Sequence, residues 1–539
     1  MEIKGIFKLE NKSWVLGSVI VAILVLLPIL FLIRGLLKIE ESDLLYLLNT
    51  ILLEYTLNTF YLIFITSLFS LFFGVLPAWY ISKYKFAGRS FFDITLYLPL
   101  AIPSYIMAFT YSDILSFTGP MQSFLRTHFN SISNIFNKDY LQIEVLGVVL
   151  ALALYPYIYS ASRISFSLIG VNYVNLSKNL GLSKTKSFFK IFLPLSKPAI
   201  LSGLFLVIME VLNEYGAVKY FGINTYTSGI FRAWFSMNNI GTAIQLSIIL
   251  LIVVLSLFYL EKLINAKSKF NYSINSKRQN LRNLKKKKLF LVYIVCSIPV
   301  FFGFFIPLGF IINNVILTYF KIDFNQLFEL VSNSIKVSTI ASILIIIIAL
   351  LFLFIEKITK SKINHVISQL ISLGYALPGA VIGLSLILMA TSFNDIFSSL
   401  SIMGSFYLLI YAYVIRFLAV GKSPIKSSLD KHPDSYTDTA KNLGLSPIMQ
   451  LKEIYLPINK FALITAFIVT FIDLMKELPI TLILRPFNFD TLGTQTYEYA
   501  IEEMIPLSSI YSLSIIIISS VMLLFLKNII NKQINVPRG

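Results

Sequence analysis

Apolar residues in this chain come in long uninterrupted runs rather than in the alternating or three-four spacing of soluble elements. Crossing a hydrocarbon core takes about 20 helical residues. Twelve runs of that order are centred near Val25, Ser70, Ala101, Ala151, Leu206, Leu251, Phe301, Ile345, Leu377, Leu409, Ile468 and Ile518. They predict an all-α polytopic membrane protein of about twelve transmembrane helices. The first run, Trp14 to about Ile33, follows Lys4, Lys8 and Lys12. It exceeds the roughly 7–15 apolar residues of a secretory leader, and no small-residue cleavage site follows. It reads as an uncleaved anchor with a cytoplasmic N-terminus.

The polar segments between the runs carry the orientation. Lys83, Lys85 and Arg89 follow the second run, and Lys178, Lys184, Lys186 and Lys190 the fourth. Lys357, Lys360 and Lys362 follow the eighth, and Lys527 and Lys532 the twelfth. All fall on one side if both termini are cytoplasmic, as the positive-inside rule requires. Between the sixth and seventh runs, Lys262 to Lys288 holds ten Lys or Arg and no Asp or Glu. This stretch reads as a solvated cytoplasmic linker attracted to anionic lipid. No regularly interleaved aromatic residues point to nucleic acid.

Composition narrows the class. Only 13% of the 539 residues are charged and 56% are hydrophobic, whereas soluble domains carry about 25% charged residues. A soluble enzyme core is excluded. The net charge of +18 then belongs to cytoplasmic loops rather than to a nucleic-acid surface. With one cysteine and three histidines, His128, His365 and His432, scattered along the chain, no disulfide framework, zinc site or Cys/His pair can be assembled. No catalytic residue and no metal site is assigned.

The chain also repeats itself. Residues 175–194 read NLSKNLGLSKTKSFFKIFLP and residues 438–457 read DTAKNLGLSPIMQLKEIYLP, so that K-N-L-G-L-S and the closing Leu-Pro recur at an offset of 263. Ala101–Ser104 (AIPS) matches Ala376–Gly379 (ALPG), and Asn58 matches Asn333, both at an offset of 275. A longer outside loop around Gly119–Asp139 accounts for the difference. Each repeat has about five spans in the same orientation, so the halves are parallel. In both repeats a short helix is expected to end at Gly181 or Gly444, where φ > 0 suits glycine. A second helical piece is expected to stop at Pro194 or Pro457. Two short helices would then lie across the cytoplasmic face.

This pattern resembles the coupling motif of permease subunits in binding-protein-dependent ABC importers, Glu-Ala-Ala-x-x-x-Gly with Leu-Pro about a dozen residues later. Asn175 and Asp438 stand at the usual Glu; Leu176 and Ser177 replace both alanines in the first copy, and Thr439 precedes a retained Ala440 in the second. Gly181, Leu193, Pro194, Gly444, Leu456 and Pro457 keep the pattern. Tyr155–Arg163, Asn213–Phe235, Ser372–Gly383, Arg416–Val420 and Lys476–Thr494 further resemble the fused two-repeat permeases of ferric-iron importers. The resemblance covers most of residues 54–527. It implies the type I ABC importer permease fold in a bacterial inner membrane. It also implies two copies of a cytoplasmic ABC ATPase docked on the two motifs, and a periplasmic solute-binding protein that delivers ferric iron. Related permeases for thiamine and other small solutes share this architecture. The corresponding domains are residues 1–53 (N-terminal segment and first helix), 54–263 (first permease domain) and 264–288 (basic linker). Residues 289–328 hold the seventh helix and an outer loop, 329–527 the second permease domain, and 528–539 a cytoplasmic tail.

Ionisable residues inside spans are costly and mark function. Glu210 and Glu214 in the fifth span map onto Asp473 and Glu477 in the eleventh at the same offset of 263. The i, i+4 spacing places each pair on one helix face, ~18 and ~24 Å above the cytoplasmic end of the span. Four carboxylates on two equivalent helices are candidates to line a cation path, and ferric iron, a hard ion, prefers oxygen. A structural role is the competing reading, with Lys476 neutralising one carboxylate and the others capping helices. The loops that follow, with Arg232 in one and Arg485, Asn488 and Asp490 in the other, are candidates for an outer gate or for docking of the binding protein.

Gly421-Lys422-Ser423 ends like a phosphate-binding loop, but that motif needs Gly where Arg416 stands. No cofactor is expected in this chain, and ATP with magnesium belongs on the partner ATPase. An ion-coupled secondary transporter would not need the paired cytoplasmic elements. A membrane-embedded enzyme would need catalytic groups clustered at one interface.

Overall fold

The structure, a computed structural model, describes residues 12–37, 50–129, 140–169, 173, 176–177, 179–266, 282–284, 286–359, 362–396, 402–433 and 435–535. Asn175 and most of the basic stretch Lys262–Lys288 lie outside them. The chain is helical nearly throughout, because in lipid every backbone N–H and C=O needs an internal partner. The principal helices are α1 (Lys12–Leu36), α2 (Leu52–Lys83), α3 (Arg89–Thr95), α4 (Ser104–Leu115), α5 (Ile143–Leu168), α6 (Leu193–Asn213) and α7 (Ile240–Ala266). Next comes α8 (Lys286–Val300), which a π-turn at Phe301–Phe305 joins to Ile306–Thr318. The second half has α9 (Phe324–Thr359), α10 (Lys362–Ser372), α11 (Gly379–Ile396), α12 (Phe406–Leu429), α13 (Leu456–Met475) and α14 (Ile505–Asn535).

Among the described residues, ten helices are long and apolar enough to cross a bilayer. The expected runs near Ala101 and Leu377 are not straight spans. Each is a helix pair, bent by 91° between Ala101 and Ser104 and by 107° between Ala376 and Gly379. The cause is Ile102-Pro103 in one and Leu377-Pro378 in the other. Proline offers no N–H to the turn before it and pushes the preceding residue into extended backbone. Ile102 accordingly has φ −95° and ψ 116°. Twelve crossings are reached only when each bent pair is counted as one.

The two halves pack alike. In the first, α2 lies along α5 and α5 along α6; in the second, α9 lies along α12 and α12 along α13. Small residues permit the close approach of α2 and α5. A Cβ on Gly74 would lie 2.9 Å from the Ile158 side chain, and one on Gly147 2.6 Å from that of Ile65. The flanking helices are exchanged. The helix α1, which precedes the first half, packs on α10 and α11 of the second, while the α8 unit packs on α2, α3, α5 and α14. A two-residue parallel bridge, Tyr84–Lys85 with Arg282–Asn283, ties the segment after α2 to the end of the basic stretch.

Candidate translocation site and coupling segments

The first-half bend and the ends of α6 and α13 line one cleft, and the second-half bend abuts it through the Gly379 N–H, which bonds Asn213. Breaking helices inside a membrane exposes backbone N–H groups that must find acceptors. Acidic side chains supply them. Glu214, 7% exposed, accepts from the Ala217 N–H at 3.0 Å and from the Ser104 hydroxyl. Glu477, 6% exposed, accepts from the N–H groups of Ile480 at 3.1 Å and Thr481 at 3.2 Å.

The same cleft is lined by Glu210 and Asp473, so the structure brings all four predicted carboxylates together. The Tyr375 hydroxyl donates to Glu210 at 2.5 Å, and Lys476 pairs with Asp473 at 3.4 Å. The expectation that each pair shares a helix face is corrected. The helix α6 ends at Asn213 and α13 at Met475, so Glu214 and Glu477 stand beyond them and turn toward the next short helices, Gly216–Tyr220 and Pro479–Leu484. Their capping duty explains the displacement.

Contacts across the halves close the cleft. Asn213 Oδ1 accepts from the Gly379 N–H at 2.6 Å and from the Arg416 guanidinium, which also lies 3.7 Å from Glu477. Lys476 Nζ donates to the Leu100 carbonyl at 3.2 Å. Space here is tight: a Cβ on Gly379 would sit 2.8 Å from the Arg416 side chain and 2.9 Å from that of Glu477. Arg416 and Asn213 were not selected as site residues from the sequence. The signal for Arg416 was available, as a charge in the middle of an apolar run. Tyr105, Tyr157 and Tyr375 carried no such signal. Among the described residues, no three of His, Cys, Asp and Glu converge closely enough to hold a metal ion.

Arg232, Arg485, Asn488 and Asp490 lie apart from the cleft, in the loops after α6 and α13. Arg232 donates to Asn224 at 2.7 Å, and Arg485 pairs with Asp490 and with Glu498. Asn488 has φ 58°, and its neighbour Phe487 is 93% exposed. These loops repeat in detail. Asn58 donates to the Asn224 carbonyl at 3.0 Å and Asn333 to the Asp490 carbonyl at 3.2 Å, which gives the sequence match of these asparagines its reason. Thr225 and Thr491 then close equivalent capping boxes.

At the opposite ends of α6 and α13 are the two K-N-L-G-L-S segments. Gly181 has φ 62° and Gly444 φ 73°. The N–H of Leu182 returns to the Ser177 carbonyl and that of Leu445 to the Ala440 carbonyl, both at 3.0 Å, which is the Schellman closure. Ala440 is buried, whereas Asp438, Leu180 and Leu443 are exposed. The expectation that Pro194 and Pro457 stop the second helical piece is overturned. The helix runs on from Lys184 to Asn213 and from Pro447 to Met475. Each proline follows a π-turn, Phe188–Phe192 or Leu451–Tyr455, in which Leu193 bonds back to Phe188 and Leu456 to Leu451. The wider turn makes room for the ring and spares the missing donor.

Comparison with known proteins follows the same division. The "Fe(3+)-transport system permease protein FbpB 2" of Haemophilus influenzae is 25% identical over 485 residues, covering 87% of this chain and 88% of its own. The sulfate transport system permease protein CysT of Salmonella typhimurium is 28% identical over 163 residues, 30% of this chain and 56% of its own. The molybdenum transport system permease protein ModB of Escherichia coli is 30% identical over 159 residues, 29% of this chain and 66% of its own. The family described as binding-protein-dependent transport system inner membrane component matches twice, over residues 70–269 and 356–535. Two matches that together cover most of the chain, on a fold of two equivalent helical halves, make this protein a member of that family of ABC importer permeases.

Proposed function

We propose that the chain is the complete membrane path of an ATP-driven importer and that its cargo is ferric iron, released into the cleft by a periplasmic binding protein. The observation that carries the cargo reading is the charge of the cleft: four carboxylates, Glu210, Glu214, Asp473 and Glu477, against the two cations Arg416 and Lys476. Such a lining favours a hard cation over the oxyanions named for the two shorter relatives. The iron permease of Haemophilus influenzae, aligned through both halves, supports the same cargo. A deletion strain is expected to lose ferric-iron uptake under iron limitation. Unchanged iron uptake together with lost thiamine or sulfate uptake would refute the assignment.

Energy comes, in this reading, from two copies of a separate cytoplasmic ATPase that hold ATP and magnesium. They dock on the segments around Gly181 and Gly444, where the exposed Leu180 and Leu443 offer equivalent apolar contacts. Ser177, Asp438 and Ala440 flank these contacts, and Asn175 holds the position in the sequence that matches Asp438. Arg232, Arg485, Asn488 and Asp490 face the binding protein. The domains are those given from the sequence, with both termini and the linker 264–288 on the cytoplasmic side. Labelling tests the orientation. In a Cys296→Ala background, Asn130→Cys is expected to react with an impermeant maleimide from outside the cell and Asn280→Cys only after lysis. Labelling of position 280 in intact cells would reverse the topology.

A further inference from the structure

Asn213 and Lys476 are equivalent under the repeat offset of 263, and each stands where its span ends. Their contacts are reciprocal: Asn213 takes the Gly379 N–H at the second-half bend, and Lys476 reaches the Leu100 carbonyl beside the first-half bend. They differ in charge. The Lys476 ammonium also lies 3.4 Å from the Asp473 carboxylate, with both side chains largely buried. The other cation of the cleft, Arg416, is already held by Glu477 and Asn213.

The cleft is also incompletely paired. Among the described residues, the Tyr105 hydroxyl and Arg416 Nε are buried with no hydrogen-bond partner, on side chains that line the cleft and are each 3% exposed. Buried polar atoms are normally satisfied, and those that are not call for an explanation. Orphaned groups beside six charged side chains fit a site that takes up a ligand.

Resting on the cation-import reading above, we propose that Lys476 is a tethered substitute for the cargo ion and the residue that sets its charge. Its ammonium neutralises Asp473 while the cleft is empty, and an entering cation must displace it. Attraction to the carboxylates grows in proportion to ionic charge, so a trivalent ion outcompetes the ammonium more readily than a divalent one. A lysine suits this role, because its single charge sits on a flexible four-carbon stem. In the first half the neutral Asn213 keeps the contact to the opposite bend without competing for a carboxylate.

The test uses proteoliposomes containing the permease with its ATPase, supplied with iron-loaded binding protein and increasing Mn²⁺. Uptake of radioactive iron by the wild type is expected to be halved only at high Mn²⁺ concentration. In K476M the Mn²⁺ concentration that halves uptake is expected to fall by about tenfold or more, within the usual range of coupling between interacting sites. K476R should keep more resistance to Mn²⁺ than K476M because it retains the charge, and D473N/K476M should regain resistance. The half-inhibiting concentration does not depend on how much protein accumulates, and K476Q provides a second reading if K476M does not fold. Equal Mn²⁺ sensitivity in the wild type, K476M and K476Q overturns this inference and leaves the importer assignment standing. Absence of iron uptake by the wild type with ATP hydrolysis intact overturns both.

Discussion

Replacing Arg416 with methionine is expected to lower the stability of the purified chain by about 3–5 kcal/mol, the cost of removing one partner from a buried ion pair. Arg416 is 3% exposed, its guanidinium lies 3.7 Å from Glu477, and it donates to Asn213. Without it the Glu477 carboxylate stays in the protein interior with only the N–H groups of Ile480 and Thr481 and the Thr481 hydroxyl as partners, and no cation. The measurement is the thermal denaturation midpoint in detergent. R416M/E477Q should recover most of the loss, because the amide oxygen still accepts from Ile480 and Thr481 while the charge is gone. R416K should recover less, since an ammonium cannot span Asn213 and Glu477 as a planar guanidinium does. An unchanged midpoint in R416M would mean that this contact holds nothing together.

The second large effect is on transport and leaves the fold alone. Gly181→Val and Gly444→Val each force a β-branched residue to φ 62° or 73°, at a local cost of about 1–2 kcal/mol. Among the described residues a Cβ meets no heavy atom within 4 Å at either position, so the penalty is one of backbone conformation. Membrane abundance is expected to stay normal. The coupling energy between sites is about 1–3 kcal/mol, so the same penalty should abolish much of the ATP-driven uptake, most severely in the double variant. Wild-type uptake by the double variant would show that these segments are ordinary loops.

These two sites differ in how well the sequence announced them. The glycines were legible because their setting recurs: K-N-L-G-L-S appears twice at one offset, and a helix that stops at glycine has few alternatives. The ten unbroken spans were legible for the same kind of reason, since length and apolarity determine them directly. The bends near Ala101 and Leu377 were harder. Pro103 and Pro378 were visible, but a proline inside a long apolar run also fits a continuous span, as Pro77 in α2 and Pro156 in α5 illustrate. Pro194 and Pro457 erred the other way, because a π-turn depends on hydrogen-bond register rather than on composition. For the carboxylates, the sequence matched the positions but not the geometry. Whether Glu214 stays on its helix depends on the N–H groups of Ala217 and its neighbours, which need an acceptor only once the chain has turned. Arg416 was the avoidable omission, as a charge amid apolar neighbours.

The continuity of the helix through Pro194 has a mechanical consequence. From Lys184 to Asn213 there is no joint, so the rod is ~45 Å long at 1.5 Å per residue. One end lies beside Gly181 and the other carries the oxygen that holds Gly379. A rigid lever of that length, tilted by about 5°, displaces its far end by ~4 Å, more than a hydrogen bond can stretch. A proline hinge at 194 would have absorbed that tilt near the pivot. Because the π-turn keeps the helix unbroken, a tilt applied at Gly181 would part Asn213 from Gly379, and one applied at Gly444 would move Lys476 against Leu100.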